Sequence, residues 1–320
     1  MDMRKRRKVI GMGETIMDII FHGQQPTAAV PGGSSFNSII SIGRTDIPAI
    51  FIGETGNDEI GKRITEFLKA NRVCPDFLRM CDNVKSAVSL AFLDEHNDAH
   101  YLFYKQPPQL SPDFTTPEID SEDILQFGSY YAIAPSVRTR TRNILEYARR
   151  QNAILYYDLN FRRTHQAELQ ELLPAIHENF LLADIVRGSA DDFEIMYDER
   201  EPATIYRRHI ARYCKLFICT QGGKEITVCT PENIFRFDVE NIHTVSTIGA
   251  GDNFNAGFIY GLIRYGIKRE ELLQLSQHQW NQLIECGRRF AANVCASVNN
   301  SIDEEFASTM RKEMHESMTE

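Results

Sequence analysis

The chain has 320 residues, 42% of them hydrophobic and 25% charged, with a formal net charge of −9. That is a globular mixture, long enough to bury a substantial core in one large α/β domain or two small ones. The acidic balance argues against general nucleic-acid binding, which needs a basic face to neutralise phosphates, yet it leaves room for ATP held by backbone N–H groups and Mg²⁺.

Taken in chain order, the basic run Arg4-Lys5-Arg6-Arg7-Lys8 reads as a solvated tail, although such a run is also compatible with a nucleic-acid patch. Gly13, Glu14 and Asp18 interrupt the residues beyond it, so no signal-peptide core is expected. Val9-Ile10-Gly11-Met12 predicts a buried opening strand, about 35–44 a helix, and Ala49-Ile50-Phe51-Ile52 the next strand. Ile60, Ile64, Phe67 and Leu68 repeat at helical spacing and predict a helix over 58–70. Tyr130-Tyr131-Ala132-Ile133, Ala153-Ile154-Leu155-Tyr156-Tyr157 and Lys215-Leu216-Phe217-Ile218-Cys219 read as further core strands with helices between them. The apolar stripe Trp280, Leu283, Ile284, Gly287, Phe290, Ala291, Val294 and Val298 predicts a terminal helix. Strands alternating with helices imply a single α/β unit over 1–320, with a doubly wound, mostly parallel sheet and helices on both faces.

Two stretches, about 14–31 and 85–105, suit β-hairpins better than crossover units. They are expected to pair into a small sheet that closes as a lid over a site at the strand ends; extra edge strands of the main sheet are the alternative. Seven cysteines without a C-x-x-C pair read as reduced, buried thiols of a cytoplasmic protein. No apolar run reaches membrane-spanning length, so no membrane partner is expected. The nine histidines show no metal-ligand spacing, and Gly11-Met12-Gly13 lacks the final glycine of a dinucleotide fingerprint, having Ile16 there.

The segment that carries chemistry is Ser246-Thr247-Ile248-Gly249-Ala250-Gly251-Asp252-Asn253-Phe254-Asn255-Ala256-Gly257. Small residues at 249–251 allow a tight turn, and Phe254, Phe258, Ile259, Leu262 and Ile263 mark the buried stripe of the helix beyond it. A glycine-lined helix N-terminus suits a phosphate, because unpaired N–H groups and the helix dipole both favour negative charge. Asp252 in the first turn either satisfies that dipole or accepts a proton from an attacking hydroxyl, and the residues alone leave both readings open. At a helix N-terminus its pKa is expected to be low.

This run resembles the C-terminal signature of the ribokinase-like (PfkB) carbohydrate kinases, D-T-x-G-A-G-D-x-F-x-A-G, with Ser246 in place of its first Asp. In order along the chain, Pro31-Gly32-Gly33-Ser34-Ser35-Phe36-Asn37 resembles that family's G-G-x-x-x-N, and Phe51 to Gly61 its I-G-x-x-G-x-D-x-x-G block. Asp158-Leu159-Asn160-Phe161-Arg162 resembles the D-x-N-x-R of fructokinase-type members. Ser189-Ala190-Asp191-Asp192 stands where they carry N-x-x-E or S-x-x-E, so Asp192 is a shortened acid, and Thr220-Gln221-Gly222-Gly223-Lys224 resembles a T-x-G-x-x-G turn, with Glu225 for its last Gly.

The resemblance implies a ribokinase-like fold and ATP-dependent phosphorylation of a sugar hydroxyl, with fructose or a related unphosphorylated monosaccharide leading. A nucleoside or 2-keto-3-deoxygluconate kinase and a catalytically weak sugar sensor are the alternatives. It implies Asp252 as catalytic base, and Gly249, Ala250 and Gly251 as an anion hole. Asp18, Gly33, Asn37 and Arg162 are implied to hold the sugar, and Ser189, Thr220, Gly222 and Asn293 the nucleotide. Asp192 would hold Mg²⁺ through water. Ser246 puts a monovalent-cation site in doubt, and the lid is where a homodimer would form. From the residues alone, Asp18 reads equally as a strand-end residue, Asn37 as a surface residue of its helix, and Lys105 as a solvated lysine or a substrate contact.

Overall fold

A computed structural model describes residues 7–93, 99–106, 115–240 and 244–317. The strands are β1 (Val9–Met12), β2 (Ile16–His22), β3 (Gln25–Gly32), β4 (Ala49–Gly56), β5 (Val73–Cys74), β6 (Leu78–Cys81) and β7 (Val88–Leu93). They continue with β8 (Ala99–Tyr104), β9 (Ile124–Gly128), β10 (Ile154–Asp158), β11 (Ile185–Ser189), β12 (Phe217–Thr220), β13 (Glu225–Cys229) and β14 (Ile234–Asp238). The main sheet has the order β14-β13-β12-β11-β10-β9-β1-β4-β5, with β6 also paired to β4. It is parallel from β12 to β5, and only β13 is reversed, pairing antiparallel with both β12 and β14.

Neighbouring residues of the central strands feed two separate cores, as the period-two alternation of a strand requires. Val9, Ile124, Ile154, Tyr156 and Ile218 enter one core, and Ile10, Leu125, Leu155, Tyr157 and Phe217 the other. The first is closed by residues of α1 (Ser34–Arg44), α2 (Glu59–Ala70), α7 (Ala250–Arg264), α8 (Gln277–Cys295) and α9 (Glu304–Ser317). The second is closed by residues of α3 (Arg138–Arg150), α4 (Leu169–Leu182) and α5 (Ala190–Tyr197), with a short helix, α6 (Pro202–Ile205), beside them. This is the doubly wound arrangement, and it explains strands such as β10 that are buried along their whole length.

The two irregular stretches form a separate four-stranded sheet in the order β3-β2-β7-β8, with β2 and β7 parallel and the outer pairs antiparallel. Residues 94–98 of the expected 85–105 segment lie outside the described residues. The edge-strand alternative is thereby overturned.

Three other expectations need correction. Tyr130 to Ile133 is not a core strand: the strand is β9, and Tyr130–Ala132 is a 3₁₀ turn beyond it. Tyr131, Ala132 and Ile133 are buried all the same, and burial alone produces an apolar run that looks like a strand. The terminal stripe ends with α8 at Cys295, so Val298 lies past the helix and is 55% exposed. Arg7 and Lys8 do not belong to a solvated tail. Arg7 donates from Nε to the Glu122 carbonyl and from Nη1 to those of Leu262 and Ile267 (2.8, 3.2 and 2.8 Å), while Lys8 Nζ pairs with Asp120 and Asp123. Arg4, Lys5 and Arg6 lie outside the described residues. All seven cysteines are free thiols, five of them buried, and no described helix is long and apolar enough to cross a membrane.

Candidate active site

The chemistry-bearing residues gather beyond the carboxyl ends of the parallel strands, where a doubly wound sheet collects its ligands. Helix α7 enters this region through Gly249, whose φ of 75° is left-handed. The Asn253 N–H closes on the Gly249 carbonyl (2.9 Å) and the Ala250 N–H turns back to the Thr247 carbonyl (3.2 Å). Among the described residues this leaves the N–H groups of Gly251 and Asp252 as the open donors of the first turn. The Ser246 hydroxyl accepts from the Ile248 N–H (3.2 Å) and so braces the loop that leads into α7.

A seam of buried polar side chains holds this entry in place. Ser41 Oγ donates to Asn253 Oδ1 (2.5 Å), Asn253 Nδ2 donates to the carbonyls of Gly249 and Asn300 (both 2.9 Å), and Ser38 Oγ donates to the Asp252 carbonyl (2.5 Å). The serines and asparagine of Ser34–Arg44 therefore face inward, because α1 docks on the first turns of α7. Asn37, open to a surface reading from sequence, is 7% exposed.

The Asp252 carboxylate takes a hydrogen bond on each oxygen, from Ser34 Oγ on Oδ1 and from Asn37 Nδ2 on Oδ2 (both 2.8 Å). Its pKa is not low, as the helix position alone suggests. Burial and the negative charge of Asp158 push it up to about 6, against the opposing effects of Asn37, Ser34 and Arg162. Desolvation outweighs the helix dipole here because the carboxylate is packed among Ser34, Asn37 and Asp158 with only part of the residue left accessible. Ser34 Oγ also lies 3.3 Å from Asp158 Oδ2, so one hydroxyl spans the two carboxylates.

Asp18 on β2 accepts from Ser89 Oγ on β7 and from Asn300 Nδ2 (3.4 Å), and burial raises its pKa. A Cβ at Gly32 would stand 2.6 Å from Asp18 Oδ2 and 3.6 Å from Asn37 Oδ1, which shows that the small sheet brings Asp18 to the same floor as Asn37. Gly33 has φ 130°, and a side chain there would strike the Glu14 carbonyl at 2.4 Å, so only glycine turns the chain from β3 into α1. Arg162 lies just past β10, is exposed, and acts electrostatically on Asp252. Lys105, just past β8, pairs with Glu14 (3.1 Å) with its ammonium 5.5 Å from the Tyr130 ring centroid.

The residues expected on the nucleotide side are placed less uniformly. Thr220, at the end of β12, accepts from Arg187 Nη2 (2.7 Å), and Gly222 turns the chain between β12 and β13 with φ 61° and open space around its Cα. Ser189 and Asp192 form a capping box at the start of α5: Ser189 Oγ accepts from the Asp192 N–H, and Asp192 Oδ2 accepts from the Ser189 N–H (2.6 Å). Burial raises the Asp192 pKa to about 6. With one oxygen so engaged, Asp192 offers a cation a single remaining oxygen, which fits contact through water better than a ligand cage. No cluster of three or more potential metal-binding side chains occurs among the described residues. Asn293 is committed to the start of α9, where its amide exchanges hydrogen bonds with Asp303 (2.7 and 3.0 Å).

Four participants receive no role from the sequence. Ser34 and Asn300 carry no distinguishing signal there. Asp158 stands out only as part of a motif; it accepts from Arg187 Nη1 (3.0 Å) and Asn255 Nδ2 (2.9 Å). Arg187 does carry a signal, a lone charge in the buried strand Ile185–Ser189.

The pfkB family carbohydrate kinase profile matches residues 7–305. Over 262 residues, the chain is 26% identical to a 5-dehydro-2-deoxygluconokinase 1 of Bacillus cereus, covering 76% of each protein, and 25% identical to a 5-dehydro-2-deoxygluconokinase of Bacillus anthracis, again 76% of each. In fold it is similar to a Vibrio cholerae fructokinase double mutant crystallised with fructose, ADP and potassium ion. The TM-score is 0.83 at 20% identity, covering 96% of this chain and 99% of the other. It is also similar to the Salmonella enterica aminoimidazole riboside kinase crystallised with aminoimidazole riboside and an ATP analogue, with a TM-score of 0.81 at 21% identity, covering 96% and 100%. A hydrogen-bonded carboxylate at an open helix N-terminus, on a ribokinase-like sheet in a chain that one family profile matches almost end to end, places the chain in the PfkB family: it is a sugar kinase.

Proposed function

We propose that the enzyme transfers the γ-phosphoryl group of ATP to a hydroxyl of an unphosphorylated monosaccharide, fructose or a close relative, with Asp252 as the base. The observation that carries this reading is Asp252 itself: largely buried, in the first turn of the open helix entry, and oriented through both oxygens by Ser34 and Asn37. A carboxylate titrating near 6 is ionised at neutral pH yet basic enough to take the hydroxyl proton late in transfer. The N–H groups of Gly251 and Asp252, turned outward by Gly249 and Ala250, would receive the charge on the phosphoryl oxygens. Asp18, Gly33, Asn37 and Arg162 would hold the sugar, and Ser189, Thr220, Gly222 and Asn293 would line the nucleotide side. Mg²⁺ would be held near Asp192 through water and would neutralise phosphate charge. The small sheet would close over the sugar as a lid. The test is Asp252→Asn, expected to lower kcat at least about a hundredfold while ATP binding is retained; near-normal turnover removes Asp252 from the mechanism.

A second reading is a keto sugar acid as acceptor. Arg162 is a cation acting on Asp252, Lys105 follows β8 of the proposed lid, and the curated relatives are named for 5-dehydro-2-deoxygluconate. Ranking fructose against 2-keto-3-deoxygluconate and 5-dehydro-2-deoxygluconate by kcat/KM separates the two readings.

A further inference from the structure

We propose that Arg187 is a catalytic residue of this enzyme, donating from its buried guanidinium to the phosphoryl group in flight between ATP and the sugar. The proposal rests on the reading of the α7 entry as the phosphate site, and it adds a group that none of the recognisable motifs contains.

Arg187 stands at the middle of β11 with 6% of its surface exposed, and its guanidinium reaches both halves of the site, Asp158 on one and Thr220 on the other. On the sugar side Nη1 donates to Asp158 (3.0 Å), which shares the Ser34 hydroxyl with Asp252. On the nucleotide side Nη2 donates to Thr220 (2.7 Å). Between them lies the helix entry: a Cβ at Gly251 would meet Nη2 at 3.0 Å and Nη1 at 3.2 Å, so the cation lies against the backbone whose N–H is an open donor. A group passing from the nucleotide side to the Asp252 side crosses this point.

Donor counting distinguishes a structural ion pair from a catalytic one. A guanidinium has five N–H donors. Asp158 and Thr220 use two of them, and Nε is buried without a hydrogen-bond partner. A buried donor left unpaired costs free energy unless a ligand completes it. Burial disfavours the charge on Arg187, but the neighbouring Asp158 carboxylate outweighs this and keeps the side chain cationic. Its planar fork matches the equatorial oxygens of a phosphoryl group better than a point charge does. In the reaction the sugar oxygen forms the new P–O bond as the bond from the γ-phosphorus to the bridging oxygen breaks. The electron pair leaves with ADP and the hydroxyl proton goes to Asp252. Arg187 exchanges no proton and offsets the negative charge carried by the oxygens between donor and acceptor. Asp158 acts through it as a positioning residue, and Gly251 has no side chain because one would separate the cation from the phosphate.

The experiment measures kcat, KM and ligand binding for wild type, Arg187→Lys and Arg187→Met, using whichever monosaccharide or keto sugar acid the wild type turns over fastest. Arg187→Met should lower kcat by roughly a hundredfold to a thousandfold, the scale of losing one preorganised charge-stabilising donor. KM for the sugar should stay within about threefold. The complex of ADP, aluminium fluoride and sugar, which imitates the phosphoryl group in flight, should weaken by a factor similar to the loss in kcat, while binding of ADP alone changes little. Arg187→Lys should recover part of the rate, supplying the charge without the fork. Because Arg187→Met strands the Asp158 charge in the interior, the same comparison is made between Asp158→Asn and Asp158→Asn/Arg187→Met, which removes the pair together. The double variant should be slower than Asp158→Asn by a similar factor. Equal rates in that pair, or a loss of ADP and sugar binding as large as the loss of the aluminium fluoride complex, would overturn the proposal. If wild type turns over no sugar at all, the proposed function itself fails, a result distinct from an active enzyme indifferent to Arg187.

Discussion

The acid limb of the rate profile is set by the environment of Asp252. Its pKa is pushed from 3.8 to about 6, first by burial and then by Asp158. The form that accepts the proton is the ionised one, present above pH 6 and lost as pH falls through that value. At pH 7 about nine-tenths of the enzyme is in the working form and at pH 5 about one-tenth, so kcat/KM should fall about tenfold per unit below pH 6. The Ser34 hydroxyl and the Asn37 amide both stabilise the ionised form, and Ser34→Ala removes one of these donors. A hydrogen bond to a charged group is worth about 1.5 kcal/mol or more, and one pKa unit about 1.4 kcal/mol, so the limb should move up by roughly one unit in Ser34→Ala. Asp192 also titrates near 6, but it bonds Ser189 and not Ser34, so only a limb belonging to Asp252 moves with this substitution. The assay is coupled ADP release at saturating Mg²⁺ and ATP between pH 4.5 and 8. A profile flat down to pH 5, or a limb that stays in place in Ser34→Ala, would show that Asp252 does not govern the acid limb.

Three further outcomes are expected. Asp18→Ala should raise the sugar KM roughly tenfold or more, the scale of losing charged hydrogen bonds, while KM for ATP stays constant; equal sugar KM values in variant and wild type would return Asp18 to the scaffold. Gly251→Val should abolish transfer in a folded protein, since even its Cβ would press on the Arg187 guanidinium at 3.0 Å; wild-type turnover in a variant of unchanged circular dichroism rules out the anion-site assignment. Turnover should depend only weakly on K⁺ over Na⁺, because Ser246 supplies a neutral oxygen already accepting from the Ile248 N–H; steep K⁺ activation would count against this, and Ser246→Asp should increase the dependence.

The legible part of this molecule is the part with local periodicity or local chemistry. Strands β1, β10 and β12 announce themselves as short apolar runs because both faces of the sheet are covered. The α7 entry shows its glycines and its aspartate in one window. What stays hidden is relational. Tyr130 to Ile133 is apolar because Tyr131, Ala132 and Ile133 are buried, and burial does not say whether the backbone is extended or wound into a 3₁₀ turn. Asn300 meets Asp18 across 282 positions, a pairing set by where α8 ends and the next loop returns over α1. The pKa of Asp252 departs from its sequence-based expectation for the same reason: the helix dipole is visible in sequence, while the burial that opposes it and the Asp158 charge that β10 brings beside it are set by the fold. Arg187 lies within reach, since a charge in the buried core strand β11 has to be paired, and it sits only two residues before the Ser189 that the motif already marks.

A sugar kinase working through Asp252 must release ADP in response to its sugar and must fail to do so without the carboxylate. The deciding measurement is ADP release across monosaccharides and keto sugar acids, with wild type and Asp252→Asn compared on the same panel. Sugar-dependent release by the wild type is expected, with fructose or a related ketose leading, and a loss of at least about a hundredfold in Asp252→Asn with ATP still bound. Release that no sugar stimulates, or a variant that turns over at the wild-type rate, would be incompatible with this mechanism.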